Sequence, residues 1–384
     1  MKIAFFCDEY PSLHSHSGGI GTFTQVVARA LAEKGDEVLV IGFGPVHLKK
    51  EDGDVRLVIL KESRVPRLAW LLNRLKLWCF VQRLAQKGQI DILEIPDWCG
   101  ILPLPTPFVP VIVRLHNPVF PPSRVVSMLE KLTLFWHRDW IAVSAWQGQN
   151  VQKKYGLKPR RMAIIYCPVE PQAAKDAGYL EGIPTKYVLY AGAVSARKGA
   201  LVTAYAAREF LAADRELHLV YAGSIGTEDG EPLDQRIREI VGDGLVPRVH
   251  FTGFVPRDVL LSLMRKAEVF VFPSRAESLG LVVLEAMAMG TPVVYSRCHV
   301  GPEVVDHGVT GLLADPQDPA DVAEKVKALL IDREAAKQMG LDAQQAVLEK
   351  FSVDRCVLET LNFYGLVRSR SGRCKRDAKT LPGR

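Results

Sequence analysis

Short apolar runs recur along the whole chain. In the first half they are Lys2–Cys7, Glu37–Phe43, Asp91–Ile95, Val109–His116, Trp140–Ser144 and Met162–Cys167. In the second half they are Tyr187–Gly192, Leu217–Gly223, Val249–Gly253, Val269–Ser274, Thr291–Ser296 and Gly311–Asp315. Each run is continuous rather than alternating and rich in Val, Ile and Phe, the pattern of strands buried on both faces of a parallel sheet. Helical spacing fills many of the gaps. Phe23, Val26, Val27, Ala30 and Leu31 mark one face of a helix, and Gly35 ends it. Alternating strands and helices predict βαβ units and an α/β protein.

Residues 168–186 break the pattern with three prolines, two glycines and no periodic apolar face. They divide the chain into two α/β halves that share no sequence repeat. The expected architecture is two doubly wound Rossmann-like domains, 1–168 and 169–350, facing each other across a cleft. Ligands of such sheets sit beyond the carboxyl ends of the strands.

Composition sharpens this picture in a few places. A hydrophobic share of 48% and a charged share of 24% are globular values, and 384 residues exceed one ordinary core. Lys+Arg 49 against Asp+Glu 43 gives +6, and residues 368–384 alone account for it. The folded body is therefore neutral, and the basic tail is expected to be solvated, with no nucleic-acid partner. Seven scattered cysteines form no CxxC pair and match neither a disulfide framework nor a zinc site, so a reduced, cytoplasmic protein is expected. The chain opens on a strand-like run without a leader, and no apolar stretch is long enough to span a bilayer. Residues 64–87 carry six basic residues and no acid, interleaved with Trp70, Leu71, Leu75, Trp78 and Phe80. That composition suits a helix packed on the sheet, or one resting on an anionic membrane surface such as the inner face of the plasma membrane.

Three segments carry candidate chemistry. Gly18-Gly19-Ile20-Gly21 opens the first helix, where free amides attract phosphate. Gly192–Gly199 sets Lys198 on a glycine-flanked loop, a point charge suited to phosphate. After the strand Val269–Ser274, Glu277 ends a loop, Ser278–Gly280 open a helix, and Glu285 falls inside an otherwise apolar helix. A buried carboxylate needs a partner, so Glu285 is expected to have one. Asp52-Gly53-Asp54 has the form of a metal-binding D-x-D but lies in a turn-rich segment and reads as a turn.

Glu277-x7-Glu285, followed by Ala286-Met287-Ala288 and Gly290-Thr291-Pro292, resembles the GT-B-fold retaining glycosyltransferases of family four. Gly18-Gly19 is similar to that family's glycine loop, and Arg114-Leu115-His116 to its first-domain histidine strand. Phe251–Pro256 is similar to the segment beside the base, and Gly301-Pro302-Glu303 and Gly308–Leu313 to its late loop and strand. The resemblance implies sugar transfer from a nucleotide-sugar donor to a glycan or lipid-linked glycan, by front-face displacement, with no metal and no cofactor. It assigns Glu285 to the ribose, Glu277 to the donor sugar and His116 to the reacting centre. The amides of Leu279 and Gly280, with Lys198, would hold the diphosphate. Gly18, Gly19, Arg197 and Ser278 complete the donor-binding set, and Gly253, Phe254 and Val255 lie on the base side. A last helix including Phe351–Val367 would cross back to the first domain.

Two departures stand out. Ala193 replaces the family's usual arginine, leaving Arg197 as its only local substitute, and Cys167-Pro168 replaces a linker Asn-Gly. The alternatives are a GT-B nucleotide-sugar epimerase and a degenerate, non-catalytic sugar-nucleotide or membrane-binding paralogue. A glycogen or starch synthase fits poorly, because Ser17 stands where those have lysine.

Overall fold

The structure, a computed structural model, describes residues 1–12, 18–117, 123–170 and 182–369. The chain divides into two compact units, one holding Met1–Pro168 and Val353–Arg384, the other Val169–Ser352. The tail beyond 369 lies outside the described residues, as does Ser17.

The first unit runs β1 (Lys2–Phe6), α1 (Gly19–Glu33), β2 (Glu37–Gly44), β3 (Leu48–Asp52), β4 (Val55–Lys61), α2 (Ala69–Gln86), β5 (Ile92–Pro96), β6 (Val111–Leu115), α3 (Arg124–Trp136), β7 (Asp139–Ala142), α4 (Ala145–Tyr155) and β8 (Arg161–Ile164). Its sheet has the order β3-β4-β2-β1-β5-β6-β7-β8, parallel except for the antiparallel edge pair β3–β4. The second unit runs β9 (Tyr187–Ala191), α5 (Ala200–Ala213), β10 (His218–Ala222), the small ribbon β11 (Thr227–Glu228) and β12 (Glu231–Pro232), α6 (Leu233–Val241), β13 (Val249–Gly253), α7 (Arg257–Lys266), β14 (Val269–Phe272), α8 (Leu281–Ala288), β15 (Val293–Ser296), α9 (Gly301–Val304), β16 (Leu312–Ala314), α10 (Pro319–Ile331) and α11 (Arg333–Lys350). Its main sheet is wholly parallel, in the order β13-β10-β9-β14-β15-β16. The final helix, α12 (Val353–Ser369), belongs to the first unit. It starts two residues later than the expected helix, because Phe351 closes α11.

All twelve apolar runs form strands, and the strand residues are largely buried. The hairpin β3–β4 is an addition. Leu48-Lys49-Lys50-Glu51-Asp52 carries no apolar alternation because it is a charged edge strand, a form that discourages edge-to-edge pairing. Gly53 and Asp54 make its turn. The Asp52 carboxylate accepts from the Tyr10 hydroxyl at 2.8 Å and from Arg29 at 2.7 Å. Bonds from Arg29, Gln25 and Tyr10 outweigh partial burial and hold its carboxyl near 2.

The basic segment 64–87 forms α2. Leu77, Val81 and Ala85 are buried against the sheet, and the Trp78 indole donates to the Pro105 carbonyl at 2.9 Å. Trp70, Leu71 and Leu75 remain exposed. Arg74 is drawn inward, donating to the carbonyls of Trp70, Cys99 and Gly100. Among the described residues, no helix is long and apolar enough to cross a membrane, and the six cysteines are free.

A buried network ties α12 to the sheet. Arg114 donates to Glu94 through Nε at 2.7 Å and Nη2 at 3.0 Å, and to the Thr360 hydroxyl at 3.2 Å. The Tyr364 hydroxyl donates to Glu94 at 2.6 Å. Both charged groups lie within the core, so removing either partner would strand the other, at about 3–5 kcal/mol.

Candidate functional site

In the second unit the strand order reverses between β9 and β14, the place where open parallel sheets bind ligands. The two strands there are neighbours, so the loops that follow them meet. After β9, the Tyr190 hydroxyl donates to the carbonyls of Ala193 and Lys198, and the Ser195 side chain caps the turn Ala196–Lys198. Gly199 then takes φ +82, where a side chain would collide with the Pro273 carbonyl. This close approach locks the two loops together. The Arg275 N–H donates to the Arg197 carbonyl at 2.9 Å, and the Arg197 guanidinium donates to the Ala276 carbonyl at 3.0 Å.

Lys198 lies 3.4 Å from Glu277, over the Phe272 ring at 5.6 Å. Glu277 also accepts from the Ser274 hydroxyl at 3.2 Å. Arg197, Lys198 and Glu277 are thus brought together. Arg197 is engaged by a loop carbonyl through Nη1.

The helix after this loop begins at Leu281, not at Ser278. Gly280 is its N-cap, with φ +82, and Ser278 and Leu279 belong to the loop. The left-handed turn at Gly280 delays the helix, and a β-carbon there would press against the Tyr295 hydroxyl.

Glu285 has the partner its burial demands. The Arg257 guanidinium lies 3.1 Å from it, and the Glu285 side chain is 16% exposed. Burial pushes its carboxyl up, and Arg257 opposes that shift. Arg257 opens α7 directly after Phe254-Val255-Pro256, so this pair brings Glu285 beside that segment. Gly253 takes φ +66 and accepts from the Gly223 N–H at 2.8 Å, while Phe254 is 75% exposed. Arg257 was missed in the sequence, although the demand of Glu285 for a cation was the signal that could have found it.

In the first unit, Gly18 caps α1 and Gly19 begins it. A side chain at Gly18 or Gly21 would strike Glu9, so the glycines let the helix end approach that residue. Phe23 of the same helix packs edge-on against the His116 ring at 4.8 Å. Ile20 and Phe23 of this helix, rather than the glycines themselves, line one small cavity with His116. Burial, and then the charge of Arg114, push the His116 imidazole down to about 3, so it is neutral. Asp97, not singled out in the sequence, accepts the backbone N–H of His116 at 3.0 Å. Its only sequence signal was a carboxylate two residues beyond the run Asp91–Ile95.

Residues 17–173 match the model for Glycosyltransferase Family 4, and residues 185–332 match that for Glycosyl transferases group 1. An uncharacterised glycosyltransferase of Methanocaldococcus jannaschii is 26% identical over 97% of this chain and 100% of its own. A D-inositol 3-phosphate glycosyltransferase of Corynebacterium efficiens is 33% identical over 49% of this chain and 47% of its own, about half of each. The fold is similar to that of Anabaena HepE, solved in complex with UDP-glucose, with a TM-score of 0.75 at 19% identity, covering 95% of this chain and 100% of that one. With one family model on each half and the GT-B pair of Rossmann-like units, the chain belongs to the family 4, group 1 glycosyltransferases.

Proposed function

We propose that the protein transfers a sugar from a nucleotide-sugar donor to a hydroxyl of a glycan or lipid-linked glycan, with retention of configuration and without a metal. The observation that carries this reading is the pair of cation–carboxylate contacts at the switch point, Lys198–Glu277 and Arg257–Glu285. Lys198 and the amides of Leu279 and Gly280 neutralise the diphosphate, a task that a lysine and oriented amides perform without a metal. Glu285 accepts the ribose hydroxyls, and Glu277 contacts the donor sugar. Phe254 and Val255 border the base. His116, neutral at physiological pH, serves the reacting centre as a hydrogen-bonding group. Catalysis then rests on positioning and on stabilising the leaving diphosphate.

The HepE complex with UDP-glucose supports that nucleotide sugar as the first donor to test. Trp70, Leu71 and Leu75, exposed on a helix rich in cations, support contact of the first unit with an anionic membrane surface. The test is a thermal-shift screen against UDP-, GDP- and ADP-sugars. A donor at a hundred times its Kd stabilises the native state by about 2.7 kcal/mol. No shift with any of the three classes overturns the reading. Conversion of the donor to its epimer, without an acceptor, would identify an epimerase instead.

A further inference from the structure

We propose that Asp97 is a positioning residue: by accepting the N–H groups of His116 and Asn117, its ionised carboxylate holds the strand end that presents the His116 imidazole for sugar transfer, and transfer fails when that carboxylate is neutralised. This rests on the reading of His116 as a residue of the reacting centre.

Asp97 follows β5 and is 7% exposed. Its own N–H donates to the Arg114 carbonyl at 3.1 Å, which fastens it to β6. The strand β6 ends at Leu115, and the next two amides leave the sheet. Asp97 Oδ1 accepts both, from His116 at 3.0 Å and from Asn117 at 3.0 Å. A second grip comes from α4. Gln147, fully buried in the first turn of that helix, donates to the Asn117 carbonyl. Its place is set by the Ser144 cap, which accepts the Gln147 N–H at 3.1 Å. His116 and Asn117 are thus held by their N–H groups on one side and by the Asn117 C=O on the other. The His116 imidazole rests on Phe23, with the Cys167 sulfur 3.9 Å from Nδ1.

The charges around this clamp differ in their response to pH. Burial raises the Asp97 carboxyl to about 7, against the lowering effect of the two backbone bonds; Glu130 on α3 adds to the rise. Lys154 and Tyr155 on α4 face the same group. His116 is held near 3, so it keeps one charge state from pH 5 upward. The proposal therefore assigns an acidic limb of kcat near neutrality to Asp97 rather than to His116, the residue that would ordinarily explain it. A protonated carboxyl accepts these hydrogen bonds about half as strongly as a carboxylate, which loosens the hold on His116 and Asn117.

The test measures UDP release from UDP-glucose by the full chain between pH 5 and 9, for wild type, Asp97→Asn, Gln147→Leu and His116→Ala. The His116 ring is followed by NMR over the same range. In the wild type, rate is expected to fall as pH drops through about 7, while the His116 ring does not titrate. Asp97→Asn is expected to be flat across that limb. Its kcat falls about tenfold or more, while its KM for UDP-glucose changes by less than about twofold, because a misplaced reacting group is a loss of orientation. Thermal unfolding verifies that this variant folds. If it does not, Gln147→Leu removes the opposite grip and is expected to lower kcat while keeping the limb. A His116 ring that titrates along the limb, or wild-type kcat in a folded Asp97→Asn or in Gln147→Leu, overturns the proposal. Full activity of His116→Ala overturns the reading of His116 itself, and the proposal with it. An inactive His116→Ala beside a fully active Asp97→Asn overturns the proposal alone.

Discussion

Replacing Gly280 by alanine probes a close contact at the N-cap of α8, and the second unit supplies its own control. Gly280 and Gly308 both have φ +82. A β-carbon at Gly308 would meet open space, whereas one at Gly280 would lie within 3.0 Å of the Tyr295 hydroxyl, closer than real β-carbons come. Tyr295 is 1% exposed, so it has little room to yield. Both substitutions carry the left-handed backbone penalty, about 1–2 kcal/mol. Only Gly280→Ala adds overpacking, about 1–3 kcal/mol. Gly308→Ala is therefore expected to lose about 1–2 kcal/mol and Gly280→Ala about 2–5 kcal/mol. For a unit of this size, each kcal/mol lowers Tm by roughly 2–4 °C. Because the Gly280 amide belongs to the proposed diphosphate cradle, Gly280→Ala also weakens UDP-glucose binding, by about 1.5–3 kcal/mol if one bond to a charged oxygen is lost. Scanning calorimetry and a UDP-glucose titration of both variants decide the matter. Equal losses of Tm, or unchanged nucleotide affinity in Gly280→Ala, would refute the close approach as the reason for glycine.

Other substitutions separate the parts of the site. Glu285→Gln is expected to keep the fold and weaken UDP binding at least about tenfold, since a bond to a charged acceptor contributes roughly 1.5–3 kcal/mol; unchanged calorimetric affinity removes Glu285 from the site. Lys198→Ala is expected to slow donor turnover far more than it lowers Tm, and Arg197→Ala to act mainly by loosening the loop held through the Ala276 carbonyl; full activity in both variants excludes this loop as the phosphate clamp. Tyr364→Phe deletes a 2.6 Å hydrogen bond to buried Glu94 and is expected to destabilise the first unit by about 1.5–3 kcal/mol, read by denaturant unfolding; no change would mean that Glu94 is satisfied by Arg114 alone. Turnover is expected to survive EDTA, and a loss restored by manganese or magnesium would contradict neutralisation of the diphosphate by Lys198 and amides.

Much of this was legible in the sequence because parallel strands buried on both faces read as unbroken apolar runs, and such a sheet places its loops at predictable ends. Lys198 and Glu277 met because their loops follow neighbouring strands at the switch point, and glycines mark where those loops touch. Three kinds of feature were not legible. The edge strand Leu48–Asp52 is stabilised by pairing with β4 rather than by burial, so its residues carry no apolar signal. The true start of α8 depends on the left-handed turn at Gly280, which composition does not distinguish from an ordinary N-cap. Arg257 and Asp97 act across strands and helices distant in sequence, and a linear pattern holds no record of such pairing.

The central claim is retaining transfer from a nucleotide sugar, and the anomeric configuration of the first product tests it most directly. UDP-, GDP- and ADP-glucose, all α-linked, are each incubated with the full chain in EDTA, and the released sugar is followed by proton NMR before mutarotation. Release of the nucleoside diphosphate with α-glucose as the first-formed anomer is the expected result. β-Glucose appearing first, or no release from any of the three donors, would contradict the claim.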